Sequence, residues 1–334
     1  MTPVRWGVLG TGGIASAFVT DLAMLPDAEV VAVGSRRQET AYEFARQHSV
    51  GRAYPSYDQL VADAEVDVVY VATPHPGHHD AAMLAIEAGK AVLVEKPFTM
   101  DAAEAVSLVS AARARGVFLM EAMWARFVPH FVRVRALLAK GALGDLRLVT
   151  ADHCQWFPDD PSHRLLAPEL GGGALLDLGI YPVSFASMVL GTPTSVTAVS
   201  DVAFTGVDAT TSVLLQHDGG AHAVLTTTLS AVGPNRAAIV GSDARIEIDP
   251  VFYAPGGFTL TRRDGTVERF DEPHEGQGLR HEAAEVMACL RAGRLESEVM
   301  PLDETLAIMR TMDEVRRQIG LTYPSTRPPS TPPR

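Results

Sequence analysis

The run Gly10-Thr11-Gly12-Gly13-Ile14-Ala15 limits what this chain can fold into more than any other feature. It sits where a β-branched strand pattern over residues 4–9 gives way to a helical pattern over residues 12–25. Read as G-x-G-x-x-A between strand and helix, it specifies a tight turn, a bare backbone that a pyrophosphate can approach, and a small residue where helix packs on strand. The helix N-terminus adds unpaired N–H donors and positive potential. Gly10, Thr11, Gly12, Gly13 and Ile14 are therefore expected to line a dinucleotide. The alternative is a glycine-rich turn with no ligand, and the flanking strand and helix weigh against it.

The pattern continues with apolar strands at 29–33, 66–71 and 91–94, alternating with helical stretches at 39–48, 76–88 and 102–115. Continuous apolar strands separated by helices predict a parallel sheet covered on both faces. After a helical stretch at 127–139, strand patterns dominate at 146–152, 195–204, 209–215, 221–229, 237–240, 245–248 and 259–262. Helices are expected at 174–190, 279–292 and 302–319. A chain of 334 residues exceeds one ordinary core. The expected fold class is α/β: an N-terminal Rossmann domain over 1–122, then an α+β domain over 123–322 with a large, mostly antiparallel sheet. The proline-rich segment 323–334 reads as a disordered tail.

In such a fold the end of the second strand selects the cofactor. An NAD site places a carboxylate there, about 20 residues beyond the glycines, to hold the ribose 2′-hydroxyl. This chain has Gly34-Ser35-Arg36-Arg37 instead. A serine hydroxyl and two guanidinium groups suit a 2′-phosphate, so Ser35, Arg36 and Arg37 point to NADP unless the arginines are only solvated surface charges. A net charge of -12 argues against a nucleic-acid partner. The N-terminus lacks a secretion leader, no apolar run approaches membrane-spanning length, and there are only two cysteines. A cytoplasmic protein is expected.

Further motifs carry a family resemblance. Ala72-Thr73-Pro74-His75 and Ala88-Gly89-Lys90-Ala91-Val92-Leu93-Val94-Glu95-Lys96-Pro97 resemble the glucose-fructose oxidoreductase/inositol dehydrogenase (Gfo/Idh/MocA) family, with its Glu-Lys-Pro motif intact. Glu121-Ala122-Met123-Trp124-Ala125-Arg126-Phe127 and the run from Gly171 to Pro182 are similar to one branch, the dimeric dihydrodiol dehydrogenases and NADP-dependent D-xylose dehydrogenases. The resemblance covers nearly the whole chain before the tail. It implies a Rossmann domain followed by an open-faced sheet that often forms a homodimer interface. It also implies that Thr73, Pro74, His75, Glu95 and Lys96 line the cofactor and that Arg164 reaches toward the nicotinamide. Because this segment binds cofactor in the family, His75, His78 and His79 are not expected to hold a metal. Asp152-His153-Cys154 is rejected as a metal site on geometry, since strand neighbours point to opposite faces.

Hydride transfer from an alcohol needs a proton acceptor and a group that stabilises the developing alkoxide. Lys96 follows a strand, at the sheet edge where open α/β ligands bind. Position alone leaves it either a solvated charge or a catalytic cation, and the resemblance favours catalysis. Asp177 and Tyr181 lie four residues apart on an expected helix and share a face. A free phenol with a pKa of about 10 is a poor base, and a nearby ammonium would lower it. Tyr181 is expected to take the proton beside Lys96, with Asp177 orienting the lysine or a hydroxyl. Trp156 and Phe157 are candidate walls for a ring-shaped substrate, a sugar or cyclic diol. A keto-sugar reductase and a non-catalytic NADP-binding regulator remain as other readings.

Overall fold

The computed structural model of the chain describes residues 2–271 and 273–324. Strands β1 (Val4–Leu9), β2 (Ala28–Gly34), β3 (Arg52–Tyr54), β4 (Val68–Val71), β5 (Ala91–Glu95) and β6 (Leu119–Ala122) form a parallel sheet in the order β3-β2-β1-β4-β5-β6. All four residues of β4 and all five of β5 are buried, as a sheet covered on both faces requires. The covering helices are α1 (Gly13–Leu22), α2 (Gln38–His48), α3 (Tyr57–Val61), α4 (His78–Glu87) and α5 (Ala102–Arg115). Local chemistry sets their ends. In α5 the Asp101 carboxylate accepts from Glu104 N at 2.8 Å, and Gly116 closes the helix at φ 65°.

The strand order reverses between β1 and β4, which makes this the crevice where ligands bind. Gly10 sits there at φ +107°, and a Cβ on it would lie 2.4 Å from the Ala72 carbonyl oxygen. No other residue fits that turn.

The second half contributes α6 (Pro129–Ala139), β7 (Leu146–Cys154), α7 (Ile180–Leu190) and strands β8 (Ser195–Val202), β9 (Asp208–Gln216) and β10 (His222–Thr228). It continues through β11 (Ala237–Gly241), β12 (Ala244–Ile248), β13 (Gly257–Arg262) and β14 (Val267–Asp271). These eight strands run in the order β14-β13-β12-β11-β7-β10-β9-β8, antiparallel throughout except for the parallel pair β7–β10. The expected α/β class with a large, mostly antiparallel second sheet is what forms. One face packs on helices. On the other, Leu214 stands opposite Val224, and both are exposed, as is Val199.

Several expectations change. Strands β3, β6 and β14 and the single turn of α3 were not foreseen, being only three to five residues long. The expected helix at 174–190 begins as a π-helical turn, Leu175–Gly179, before α7. The stretch 168–190 is long and apolar enough to cross a membrane, contrary to the sequence reading, but it is mostly buried inside the fold and serves as core. Helices α8 (Leu279–Arg291) and α9 (Leu302–Ile319) return to the first sheet's layer. Leu302, Leu306 and Met309 share a buried cluster with Leu108 and Val109 of α5, and Asp21 of α1 accepts from Leu279 N at 2.8 Å. Tyr323, expected to open the tail, is instead tied to the fold, its Oη donating to Gly172 O at 2.6 Å. Residues 325–334 lie outside those described.

Asp208 anchors the start of the π-helical turn. Its Oδ2 accepts from Leu175 N at 2.7 Å and from Thr211 Oγ1 at 2.8 Å, while buried Oδ1 has no partner among the described residues. Burial pushes this carboxyl up to about 7. An unfolded aspartate titrates near about 3.9. The folded state therefore binds the proton more tightly, and stability is lost as pH rises between those two values. In Asp208→Asn that loss disappears. Its stability relative to wild type is expected to rise by on the order of 2 kcal/mol between about pH 5 and about pH 7.5. Urea unfolding at the two pH values checks this, and a constant difference would count against it.

Candidate active site

Three side chains from two chain segments meet at the carboxyl edge of the parallel sheet. Lys96 follows β5, Asp177 lies in the π-helical turn, and Tyr181 is in the first turn of α7. Lys96 Nζ lies 3.1 Å from Asp177 Oδ1 and donates to the Asp177 backbone oxygen at 3.0 Å. The same ammonium sits 4.9 Å from the centre of the Tyr181 ring. The two residues expected to share a helix face therefore both face Lys96, with a π-helical turn in place of the α-helical spacing.

Arg164 grips the same carboxylate with both nitrogens, Nη1 to Oδ1 at 3.2 Å and Nη2 to Oδ2 at 3.1 Å. His75 approaches from behind. Its Nδ1 donates to Gly171 O at 3.2 Å, and its Nε2 lies 3.5 Å from Asp177 Oδ1. Burial alone would raise the Asp177 pKa, but Lys96, His75 and Arg164 together hold it well below the usual carboxylate range. Burial would likewise lower Lys96, yet Asp177, Tyr181 and Glu95 keep it above an ordinary lysine. Lys96 is a permanent cation here.

The expectation for Tyr181 needs correction. Lys96 does pull its hydroxyl downward, but burial is the larger effect and pushes it up to about 12. Tyr181 Oη also accepts from Trp124 Nε1 at 2.8 Å. The resting site thus holds a neutral phenol beside a fixed cation.

Around Tyr181 stands a wall of rings that the sequence reading did not single out. His153 lies 5.3 Å away between ring centres, Tyr253 4.8 Å, and Trp124 6.4 Å. His153 Nδ1 meets Leu178 O at 3.1 Å, and Gln155 Nε2 lies 2.9 Å from His153 Nε2 and 3.3 Å from Tyr253 Oη. Strand alternation could have found His153, because its neighbour Asp152 points away and accepts from Asn235 N at 2.7 Å. Tyr253 lies between β12 and β13, where no periodicity marks it. The two expected wall residues have no ring contact with Tyr181 among the described residues. Trp156 is exposed, and Phe157 packs on His163 at 5.0 Å.

The expected cofactor residues divide in two. At the glycine turn, Cβ atoms on Gly12 or Gly13 would meet nothing within 4 Å, Ile14 is exposed, and α1 has neither a side-chain cap nor an acidic residue in its first turn. Free N–H donors and open space in front of them fit a dinucleotide pyrophosphate. Thr11 and Pro74 lie at this crevice, and the buried Thr73 hydroxyl has no partner among the described residues. Arg36 and Arg37 are exposed beside the same edge. The Ser35 hydroxyl is committed, however. Thr40 Oγ1 donates to Arg37 O at 2.9 Å, so Ser35 is the donor in its 2.6 Å bond to Thr40 Oγ1. Glu95 is buried. It accepts from Tyr70 Oη and, at 3.1 Å, from Lys96 N. His78 contacts the Pro97 and Thr73 carbonyl oxygens and His79 contacts Asp80 and Ser107, so with His75 on Gly171 the three histidines do not converge.

Comparison with known proteins agrees with this layout. Residues 4–123 match the oxidoreductase family with an NAD-binding Rossmann fold, and residues 131–247 match the GFO/IDH/MocA C-terminal domain. The chain is 40% identical over 332 residues to a trans-1,2-dihydrobenzene-1,2-diol dehydrogenase of Xenopus tropicalis, covering 96% of this chain and 99% of that protein. The human protein of the same name is 40% identical over 333 residues, covering 96% and 98%. Among solved structures, a 3-ketoreductase from Actinomadura kijaniata in complex with NADP and TDP-benzene superposes with a TM-score of 0.84 at 30% identity, over 95% of this chain and 98% of that one. An aldose-aldose oxidoreductase from Caulobacter crescentus complexed with glycerol gives 0.86 at 26% identity, over 95% and 97%.

Proposed function

Since the chain belongs to the Gfo/Idh/MocA family of oxidoreductases and is an enzyme acting on CH–OH groups, we propose that it oxidises one hydroxyl of a sugar or cyclic diol with NADP. The observation that carries this is the contact of Lys96 with both Asp177 and Tyr181 at the edge of the dinucleotide crevice. The relatives' names, a dihydrodiol dehydrogenase and an aldose-aldose oxidoreductase, support the substrate class.

NADP, when bound, supplies the hydride acceptor. Tyr181 receives the substrate hydroxyl's proton. Lys96 donates to the oxygen as it gains negative charge and lowers the cost of the phenolate. Asp177 holds the ammonium in place through one fixed carboxylate oxygen, and Arg164 and His75 hold Asp177. Gly10, Thr11, Gly12, Gly13 and Ile14 present α1 to the pyrophosphate, while Thr73 and Pro74 flank the nicotinamide ribose. Arg36 and Arg37 bind the 2′-phosphate. Ser35 shapes their loop through Thr40, and that loop carries no competing carboxylate. In this reading residues through 122 hold cofactor and residues 123–322 hold substrate. The exposed Val199, Leu214 and Val224 face joins two copies in a homodimer. Buried, unpaired Cys154 and Cys289 suit a reducing cytoplasm.

The same groups run in reverse would reduce a keto-sugar, a second direction favoured by the likeness to the 3-ketoreductase. A non-catalytic NADP binder would have no use for the Lys96–Asp177–Tyr181 contact. The test is a screen for reduced-nicotinamide absorbance with NADP and with NAD, against D-xylose, D-glucose, inositol and trans-1,2-cyclohexanediol. Turnover with NADP on a polyol or diol is expected, with NAD much poorer. Equal use of NAD would overturn the roles given to Arg36 and Arg37, and tight NADP binding without turnover in either direction would overturn the enzyme assignment of this site.

A further inference from the structure

Gln155 follows β7, half-buried, two residues beyond His153. Its amide orientation is determined by its neighbours. A carbonyl oxygen can only accept, so His153 Nδ1 carries the proton in its 3.1 Å contact with Leu178 O. Burial first, and then Lys96, drive the His153 pKa down to about 3, so the ring is neutral and Nε2 is a bare acceptor. The atom 2.9 Å from that nitrogen must be the amide N of Gln155, as placed, and its other N–H reaches Tyr253 Oη at 3.3 Å. Two atoms are thereby left with capacity to spare. Gln155 Oε1 accepts from no donor among the described residues. The Tyr253 hydroxyl accepts from Gln155 and keeps its own proton to donate. The Tyr253 ring centre lies 4.8 Å from that of Tyr181 and Gln155 bonds to Tyr253, so this acceptor and donor belong to the wall around the proton acceptor of the reaction.

We infer that Gln155 Oε1 and Tyr253 Oη form the subsite for a second hydroxyl, adjacent to the one oxidised, and select vicinal diols over simple alcohols. A hydroxyl is at once donor and acceptor, and it can satisfy both atoms together. A substrate without it leaves a half-buried amide oxygen unpaired, the condition under which polar sites discriminate most strongly. The inference rests on the reading that Tyr181 and Lys96 mark the reacting hydroxyl. The shared chemistry is the vicinal diol, and its source is either a ring diol or a sugar.

Two substrate pairs separate these sources: trans-1,2-cyclohexanediol with cyclohexanol, and D-glucose with 2-deoxy-D-glucose. For each pair the ratio of kcat/KM with NADP is measured in wild type, in Gln155→Met and in Tyr253→Phe, which keeps the ring packing. Wild type is expected to favour the vicinal partner of at least one pair. Each substitution should shrink that ratio by roughly 10-fold, mainly through KM. The pair that responds identifies the source. Ratios unchanged within about twofold in both folded variants, for both pairs, would overturn the subsite. A wild-type enzyme that turns over all four compounds without preference also overturns it. Absence of any wild-type turnover, by contrast, removes the Tyr181–Lys96 reading beneath it.

Discussion

Lys96→Met is expected to lower kcat for alcohol oxidation by roughly 10³-fold and Tyr181→Phe by 10² to 10⁴-fold, the range for a positioned proton acceptor and a fixed charge. Initial rates at saturating substrate, with NADP affinity measured separately by fluorescence, distinguish lost chemistry from lost binding. The pH profile is the sharper signature. Oxidation needs the Tyr181 phenolate, and burial has pushed that hydroxyl up to about 12. The oxidative rate should therefore climb about tenfold per pH unit from neutrality upward, without a plateau below about pH 10. Reduction needs the neutral phenol and should be flat over the same range. Lys96→Met removes the cationic pull on the phenol, so its pKa rises further. A Tyr181→Phe enzyme with wild-type rate would remove tyrosine from the mechanism.

Asp177→Asn should be the most damaging change to the resting protein. The substitution keeps the shape but removes the charge that Lys96 and Arg164 share at 3.1 Å each. Lys96 then remains a buried cation without its principal counter-ion, and breaking a buried pair in this way costs on the order of 3–5 kcal/mol. Part of that cost is avoided if the lysine gives up its proton. Burial already acts to depress Lys96, and Asp177 leads the groups that oppose it. The variant's Lys96 is expected to titrate within the working pH range, so activity should fall on the alkaline side where wild type still gains. Denaturant unfolding and the rate profile together test this. A variant with wild-type stability and an unaltered profile would show that Asp177 holds nothing in place.

Much of this was legible before any coordinates. Continuous Val-rich strands and glycine-terminated helices announced the parallel sheet, because strands buried on both faces have no polar positions to blur the pattern. The turn at Gly10 was legible for a similar reason, since only glycine tolerates its φ and the Ala72 oxygen in front of it. Lys96, Asp177 and Tyr181 were named, and the structure brings them together. What periodicity could not convey was three-dimensional neighbourhood. Trp156 and Phe157 looked like wall residues as aromatics just after a strand, while the rings that surround Tyr181 come from three separate segments, at Trp124, His153 and Tyr253. The sign of the Tyr181 shift was also missed. It depends on how deeply the phenol is buried, and a one-dimensional pattern does not carry that quantity. The π-helical turn escaped for a related reason, because all five of its residues, Asp177 included, are buried, and periodicity marks no outer face there.

The last two helices set a limit on how this protein can be rearranged. Leu302, Leu306 and Met309 of α9 complete the core of the dinucleotide-binding half, Ala102 N donates to Asp313 Oδ2 at 2.9 Å, and Asp21 of α1 holds the start of α8. The C-terminal stretch is thus a strap across the N-terminal half. A gene cut near residue 122 would yield a cofactor module with an unhealed apolar seam, so exchange of substrate modules between relatives must carry the strap and its seat together as one inherited unit.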